Sequence, residues 1–272
     1  MVASLMSPGP PRLLSLAAGT VLDVSPPEAV SVAASAGWPA VGVWFDPTTW
    51  TSQVAAEVAT RLDDTGVIAL DIEPFIFGRG AIHGQAILDA AAQIGARFLL
   101  VASGLADRGE VVEGLGNLSD LAAVTAPNLT LVFEFLPIFS VATVAAAVGI
   151  VAEVDRSNLG VLVDTLHLAR SGGTPADLGS FNPTLFPYLQ LADAPLILAD
   201  PSMAGLREEA LFGRLLPGEG GLPLVETLRT VPNVPVSVEL RSRALCEQYP
   251  DPVKRARQVL AATNRVISAT GL

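Results

Sequence analysis

The feature that most constrains this chain is a series of eight short apolar runs that alternate with segments of helical pattern. Uninterrupted apolar runs of this kind are typical of parallel strands buried on both faces. The segments between them, for example residues 26–37 and 83–95, place apolar residues three or four positions apart and end in glycine, as amphipathic helices do. The predicted strands cover residues 13–17, 40–44, 67–71, 98–102, 129–135, 159–164, 188–192 and 236–240.

Eight β/α units at a spacing of mostly about 25 to 35 residues predict an α/β fold, a closed (β/α)8 TIM barrel that forms one domain over residues 1–272. An open doubly wound sheet would share this alternation, but the turn after the first predicted strand lacks the glycine-rich sequence of a dinucleotide site. The interval between the last two strands is unusually long. We expect residues 194–222 to form a long loop segment near the active-site rim, as lids and binding segments do.

Composition excludes several classes of partner and site. The net charge of −11, from 27 acidic and 16 basic residues, predicts a surface that repels nucleic acid and anionic membranes. The single cysteine, Cys246, cannot form an internal disulfide, and the N-terminal residues lack the pattern of a secretory signal peptide. We therefore expect a cytoplasmic protein with a small-molecule substrate. The sequence is compatible with a homo-oligomer but identifies no interface for one.

Two scarce residue types limit the chemistry further. Lys254 is the single lysine and lies near the C-terminus, so Schiff-base catalysis has no other lysine to use. The two histidines, His83 and His167, exclude a site built from three or more imidazoles within one chain. His83 opens a predicted helix and is expected on the surface.

Polar side chains follow four predicted strands at their carboxyl ends, where a TIM barrel builds its active site. Glu134 lies on the fifth strand, Asp164 and His167 follow the sixth, Gln190 lies on the seventh and Glu239 on the eighth. Burying an unpaired carboxylate costs several kcal/mol, so three converging carboxylates need a cation. We predict one divalent ion held by Glu134, Asp164, Gln190 and Glu239. This all-oxygen set favours Mn²⁺ or Mg²⁺, with Co²⁺ as a further candidate, over Zn²⁺.

The alternative is that these strand-end residues cap loops and form salt bridges. The chain would then be a non-catalytic barrel that binds a small molecule. Ion pairs between the carboxylates and arginines, without a metal, would favour this interpretation.

Further residues are candidate contacts to the substrate. Asp71 and Glu73 follow the third predicted strand. Arg79, Arg108 and Arg207 lie in expected rim loops, where a guanidinium could bind a carboxylate or a sugar. A loop cap for the acidic residues and solvated surface charge for the arginines are the alternatives.

With these residues in place, the sequence resembles the xylose isomerase-like barrel superfamily of sugar isomerases, ketose 3-epimerases, inosose dehydratases and 3-dehydroshikimate dehydratases. In that superfamily strand five ends in a metal-binding Glu, matched by Glu134, and strand six ends in Asp-x-x-His, matched by Asp164 and His167. Strand eight supplies a second Glu, matched by Glu239, and the loop before it often carries the Pro-Gly-x-Gly sequence found at residues 217–220.

Strand seven departs from many members, the ketose epimerases among them, which have a metal-binding His where this chain has Gln190. The metal-dependent 3-dehydroshikimate dehydratases resemble this chain in having Gln there. Resemblance to the epimerases implies that Glu134 and Glu239 carry protons while His167 contacts a substrate oxygen. Resemblance to the dehydratases implies that His167 is the base.

Both reactions begin with removal of a proton next to a metal-chelated carbonyl. We predict a metal-dependent isomerase or epimerase of an unphosphorylated sugar or polyol ketone, with a lyase of the dehydratase type as the alternative. Apurinic endonucleases of the same superfamily need several histidines for a zinc cluster, so two histidines and an acidic surface argue against DNA repair.

Overall fold

The computed structural model describes residues 12–79 and 84–271, which form a closed barrel of eight parallel strands in sequence order. Pairing of the first strand with the last closes the barrel. The predicted (β/α)8 fold is confirmed. The strands are β1 (Leu14–Leu16), β2 (Ala40–Trp44), β3 (Ile68–Phe77), β4 (Phe98–Ser103), β5 (Thr130–Glu134), β6 (Leu159–Asp164), β7 (Leu189–Leu191) and β8 (Val236–Val238).

Helices surround the barrel and bury their apolar faces against the outward-facing side chains of the strands, which together form the main core. A smaller core fills the barrel interior. The helices are α1 (Pro26–Ala36), α2 (Ser52–Thr65), α3 (Gly84–Ile94), α4 (Arg108–Thr125), α5 (Val144–Val154), α6 (Thr165–Arg170), α7 (Pro175–Leu178), α8 (Met203–Phe212), α9 (Leu224–Thr230), α10 (Arg243–Gln248) and α11 (Pro252–Thr270).

Local sequence signals fix the helix ends. At the start of α1 the backbone N–H of Ser25 donates to the Glu28 carboxylate over 2.9 Å, in the manner of a capping box. The same helix ends at Gly37, which adopts φ 88°, a left-handed conformation that glycine accepts without strain. These signals are why helix positions could be predicted from the sequence.

Strand β3 is longer than its apolar run predicts. The run ends at residue 71, whereas β3 continues to Phe77 and includes both Asp71 and Glu73. The pairing register shifts once against β2, between Val41 and Gly42, and once against β4. Both acidic residues are buried. They interrupt the apolar pattern in the sequence, but the strand continues through them.

The segment predicted as a long loop over residues 194–222 contains the helix α8, whose N-terminus is capped by Ser202. The turn that follows wraps around Asp193, whose carboxylate accepts backbone N–H bonds from Gly218, Gly220 and Leu222 over 2.9–3.1 Å. Asp193 is thereby a structural anchor for the Pro-Gly-x-Gly turn.

Within the described residues, no helix combines the length and hydropathy needed to cross a lipid bilayer. His83 and the N-terminal residues considered for a signal peptide lie outside the described residues.

Candidate active site

Five residues singled out in the sequence meet at the carboxyl ends of the strands. Glu134 ends β5, Asp164 ends β6, His167 lies in α6, Gln190 lies in β7 and Glu239 directly follows β8. All five are buried. The barrel therefore brings together side chains that are more than 100 positions apart in the sequence, as expected for a TIM barrel site.

A cavity of about 350 Å³ opens above these residues. Its polar side is formed by Glu73, Glu134, His167, Arg214 and Glu239. Two more arginines, Arg79 and Arg241, also line it. The remaining wall is apolar and consists of Trp44, Pro74, Ile76, Leu100, Ala102, Leu136, Ile138, Phe139, Ala210 and Leu211. The cavity is large enough for a small organic molecule with one polar and one apolar side.

Three side chains are arranged so that they could hold a metal ion. Glu134, Asp164 and His167 each place one ligand atom within 4.8 Å of the other two. The Oε1 atom of Glu134 lies 3.9 Å from Nε2 of His167. Carboxylate oxygens and an imidazole nitrogen are common ligands of divalent transition metals. His167 therefore adds a possible nitrogen ligand to the oxygen set predicted from the sequence.

Arg214 is one of two charged cavity residues that the sequence analysis missed, the other being Arg241. Its Nη1 atom lies 2.6 Å from Oδ2 of Asp164, and its Nη2 atom lies 3.1 Å from Oε2 of Glu239. Its Nε–H also donates to the carbonyl of Ala210 at the end of α8. The sequence analysis assigned the charge of these carboxylates to a divalent ion, whereas Asp164 and Glu239 each form an ion pair with Arg214. The available signal was the position of Arg214 three residues before the Pro-Gly-x-Gly turn.

Asp164 also caps the helix that follows it. Its Oδ1 atom accepts backbone N–H bonds from Leu166 and His167, over 2.7 and 3.1 Å, and so caps α6. Burial alone would raise the pKa of this carboxyl, but the ion pair with Arg214 and these hydrogen bonds hold the pKa below its usual value. Asp164 is therefore an anion held in a fixed orientation.

The other site carboxyls carry charge that Arg214 cannot balance. Burial raises the pKa of Glu134 well above its usual value, and the negative charges of Asp164 and Glu239 raise it further. Burial and the neighbouring Asp71 raise the pKa of Glu73 in the same way. An excess of buried negative charge of this kind is stabilised by a cation or by protons.

Gln190 supplies an observation that favours a cation. Its Nε2 atom donates to Oε2 of Glu73 over 3.3 Å, which fixes the amide. Its Oε1 atom is buried and has no hydrogen-bond partner among the described residues. A buried amide oxygen without a donor is a suitable ligand for a hard cation. The donor set and the charge of this site therefore fit a divalent metal ion.

His167 is neutral at physiological pH. Burial lowers its pKa to about 4, despite the neighbouring Asp164 carboxylate, which acts in the opposite direction. A neutral imidazole can accept a proton or bind a metal, whereas an imidazolium can do neither.

Two predicted substrate contacts do not reach the cavity. Arg108 pairs with Glu153 on the surface, where both side chains are 52% exposed. Arg207 is exposed on α8. The arginines that line the cavity are Arg79, Arg214 and Arg241. The sequence predicts Arg79, Arg108 and Arg207 in similar rim segments. It does not show which of them reaches the cavity, because that depends on how each segment folds.

Arg79 and Arg241 stack on aromatic rings. The guanidinium of Arg79 lies 5.7 Å from the ring centroid of Phe139, and that of Arg241 lies 5.8 Å from that of Trp44. Neither guanidinium forms an ion pair with an acidic side chain in the part of the chain that the structure describes. The charge of Arg241 partly offsets the rise in the pKa of Glu239 that burial causes, and both guanidinium groups line the cavity, where they can donate to an anionic group.

Comparison with known proteins agrees with this architecture. The model of the family described as xylose isomerase-like TIM barrel matches residues 30–263. The 3-dehydroshikimate dehydratase of Pseudomonas aeruginosa is 26% identical over 220 residues, which cover 75% of this chain and 34% of that protein. The chain therefore spans about a third of the length of this curated relative.

Solved structures share the fold. The crystal structure of IOLI protein with a zinc atom superposes with a TM-score of 0.79 at 18% identity, over 94% of this chain and 98% of that one. D-Psicose 3-epimerase from Clostridium cellulolyticum H10 superposes with a TM-score of 0.71 at 13% identity, over 94% of this chain and 99% of that one. At these identities the likeness shows the fold alone.

Proposed function

The chain belongs to the xylose isomerase-like TIM barrel family, and we propose that it is a metal-dependent lyase that removes water from a small hydroxy-ketone bearing a carboxylate. The proposal depends on one observation above all: Arg79 and Arg241 line the cavity and form no salt bridge with the acidic side chains that the structure describes. The related dehydratase from Pseudomonas aeruginosa and the Gln190 position add support. The sequence analysis gave a lyase as the alternative to an isomerase or epimerase. The two arginines make the lyase the first candidate.

The cavity lining carries both acidic and basic side chains. Glu73, Glu134 and Glu239 would repel an anion placed beside them. Arg79 and Arg241 can bind a carboxylate through charge-assisted hydrogen bonds. A substrate with a carboxylate at one end and a hydroxy-ketone at the other would be oriented by both. A neutral sugar would leave the two guanidinium groups unused.

We propose Glu134, Asp164, Gln190 and Glu239 as the residues that hold the metal, which leaves the imidazole of His167 free to act as a base. When bound, a divalent ion at these residues would polarise the substrate carbonyl and acidify the adjacent C–H bond. Arg214 keeps the carboxylates of Asp164 and Glu239 in place through its two ion pairs.

His167 is the proposed base. As a neutral imidazole it takes the proton from the carbon next to the carbonyl, and the C–H electron pair becomes part of a new carbon–carbon double bond. The hydroxyl group on the following carbon leaves with the C–O electron pair. The imidazolium of His167 returns its proton to that oxygen, so the products are a conjugated ketone and water. The Asp164 carboxylate, which stays anionic, stabilises the imidazolium while it exists.

An isomerase or epimerase is the second candidate, because Glu134 and Glu239 line the same cavity. Burial raises the pKa of both carboxyls, so each accepts a proton more readily than an exposed glutamate does. Two such groups could remove a proton from one face of a carbon and return it to the other. The fold shared with D-psicose 3-epimerase is compatible with this alternative.

Product analysis distinguishes the candidates. The Mn²⁺-loaded protein would be incubated with 3-dehydroshikimate and, separately, with D-psicose. The lyase proposal predicts new ultraviolet absorbance from a conjugated product with the keto acid and no change with the ketose. Epimerisation of the ketose without new absorbance would support the second candidate. Absence of both reactions in protein that retains its metal would favour a non-catalytic binding barrel.

A further inference from the structure

Helix α8 forms part of the cavity wall but is held by little apolar packing. Ala210 and Leu211 of this helix line the cavity. Among its ten residues, all of which the structure describes, Ala210 alone is buried, whereas Met203, Leu211 and Phe212 are 37–48% exposed. Helix α3 is one residue longer and buries five residues. Because helices in proteins are stabilised mainly by packing of an apolar face, α8 needs other contacts to stay in place.

Arg170 supplies such contacts from the last position of α6. Its Nε and Nη2 atoms donate to Oε2 and Oε1 of Glu209 over 2.6 and 2.7 Å, so the guanidinium binds both carboxylate oxygens. The two side chains are 7% and 10% exposed, which shields the ion pair from water. Nη2 also donates to the carbonyl of Pro195 over 2.6 Å. Arg170 therefore binds both α8 and the segment that leads into it.

A second ion pair on the same helix differs in its exposure. Glu208, the neighbour of Glu209, places Oε1 3.1 Å from Nη1 of Arg243, and these side chains are 57% and 59% exposed. A solvated pair of this kind contributes little, because water screens both charges. The buried pair with Arg170 is therefore the stronger side-chain contact of α8.

The Arg170–Glu209 pair lies beside the residues of the site. Arg170 follows His167 by three positions on α6. Glu209 directly precedes Ala210, whose carbonyl accepts a hydrogen bond from Nε of Arg214. Arg214 therefore holds the backbone near the C-terminal end of α8, while Arg170 holds a side chain of the same turn.

The two ends of α8 are anchored unequally. At its C-terminal end, Gly213 pairs with Ser242 in an antiparallel bridge next to the end of β8. Before its N-terminal end, Leu196 and Ile197 are 68% and 81% exposed. A movement of α8 would therefore take place about its C-terminal end and carry the cavity wall with it.

We propose that the Arg170–Glu209 pair is a latch that holds α8 against the cavity, and that both residues are positioning residues for substrate binding. Without the pair, α8 is in place for only part of the time, and a substrate that contacts Leu211 binds more weakly in proportion to that fraction. His167 and the site carboxylates lie on other elements, so the reaction of the bound substrate changes little. The effect on substrate binding rests on the proposed function, whereas the latch itself does not.

Hydrogen exchange in the Mn²⁺-equilibrated protein without substrate tests the latch. We expect Glu209→Gln to accelerate amide exchange in residues 203–212 at least tenfold, with exchange in the barrel strands unchanged. Glu208→Gln is the matched control on the same helix and should change the exchange less than threefold. Unchanged exchange of α8 in Glu209→Gln, or equal acceleration throughout the chain, overturns the latch.

Steady-state kinetics with 3-dehydroshikimate tests the positioning role. We expect Glu209→Gln to raise KM at least fivefold while kcat stays within threefold of wild type. Faster exchange of α8 with an unchanged KM would show that the pair has a structural role alone and would overturn its part in substrate binding. If wild type does not dehydrate the keto acid, the proposed function fails, and the exchange experiment still decides whether the pair holds α8.

A second variant covers the case that Glu209→Gln does not fold. Arg170→Gln breaks the pair from the other side and should accelerate exchange of the same ten residues. If the two side chains act through each other, adding Glu209→Gln to Arg170→Gln accelerates exchange no further. Additive effects of the two substitutions would mean that each residue acts through a different partner and would overturn the latch.

Discussion

Arg214 joins Asp164 to Glu239, with nitrogen–oxygen distances of 2.6 and 3.1 Å to carboxylates from β6 and from the end of β8. Its side chain is 3% exposed, so both ion pairs are shielded from water. Because Arg214 also bonds to the end of α8, it connects the long segment between β7 and β8 to the centre of the site.

Removing Arg214 tests this connection. We expect Arg214→Gln to lower the free energy of unfolding of the metal-free protein by about 3–5 kcal/mol, because two buried carboxylates lose their partner. Saturating Mn²⁺ should restore part of the loss. Chemical denaturation with and without Mn²⁺ measures both effects. Arg108→Gln is the control, since its exposed ion pair is expected to contribute no more than about 1 kcal/mol. A similar small loss for Arg214→Gln would contradict the prediction.

Gly19 makes room for Glu239. A Cβ atom at this position would lie 2.3 Å from Oε1 of Glu239, a distance that forces the carboxylate to move. We expect Gly19→Ala to lower Mn²⁺ affinity at least tenfold, measured by calorimetric titration. Gly116→Ala is the matched control on α4, where an added Cβ meets nothing within 4 Å. Wild-type affinity in Gly19→Ala would mean that Glu239 does not contribute to metal binding.

Replacing His167 tests the base. We expect His167→Gln to lower kcat for dehydration by about 10²- to 10⁴-fold, the range typical of a positioned general base. Stopped-flow ultraviolet absorbance gives the rate, and the metal content of the variant is measured in the same samples. Near-wild-type turnover by metal-loaded His167→Gln would assign the proton transfer to another group.

The two cavity arginines are expected to control substrate affinity. Arg241→Gln should raise KM for the keto acid at least tenfold with a small change in kcat, because the guanidinium binds a group remote from the reacting carbon. Arg79→Gln should act in the same direction. Steady-state kinetics with the acid and with its methyl ester gives the comparison. An equal effect on both substrates would show that these residues do not recognise the carboxylate.

The barrel and the convergence of the strand-end residues could be predicted because both follow local patterns. Glu134, Asp164 and Glu239 each come after an apolar run, and parallel strands place their carboxyl ends at one face. The family assignment from the same residues is confirmed by the match over residues 30–263.

Arg214 could not be predicted in this way. It follows a helix within the one long segment without a strand pattern, and its position depends on how the Pro-Gly-x-Gly turn folds around Asp193. Arg79 and Arg108 could not be separated either, since both lie just after predicted strands. The extension of β3 through Glu73 was missed because its inward-facing residues are acidic where the pattern requires apolar ones.

The central claim is that the converging side chains hold a divalent ion, and anomalous diffraction from crystals equilibrated with Mn²⁺ tests it most directly. We predict an anomalous peak within about 2–2.5 Å of oxygen atoms from Glu134 and Asp164, with the Gln190 amide oxygen turned toward it. The absence of any peak near these residues in folded protein equilibrated with saturating Mn²⁺, with Arg214 still joining Asp164 to Glu239, would contradict the claim.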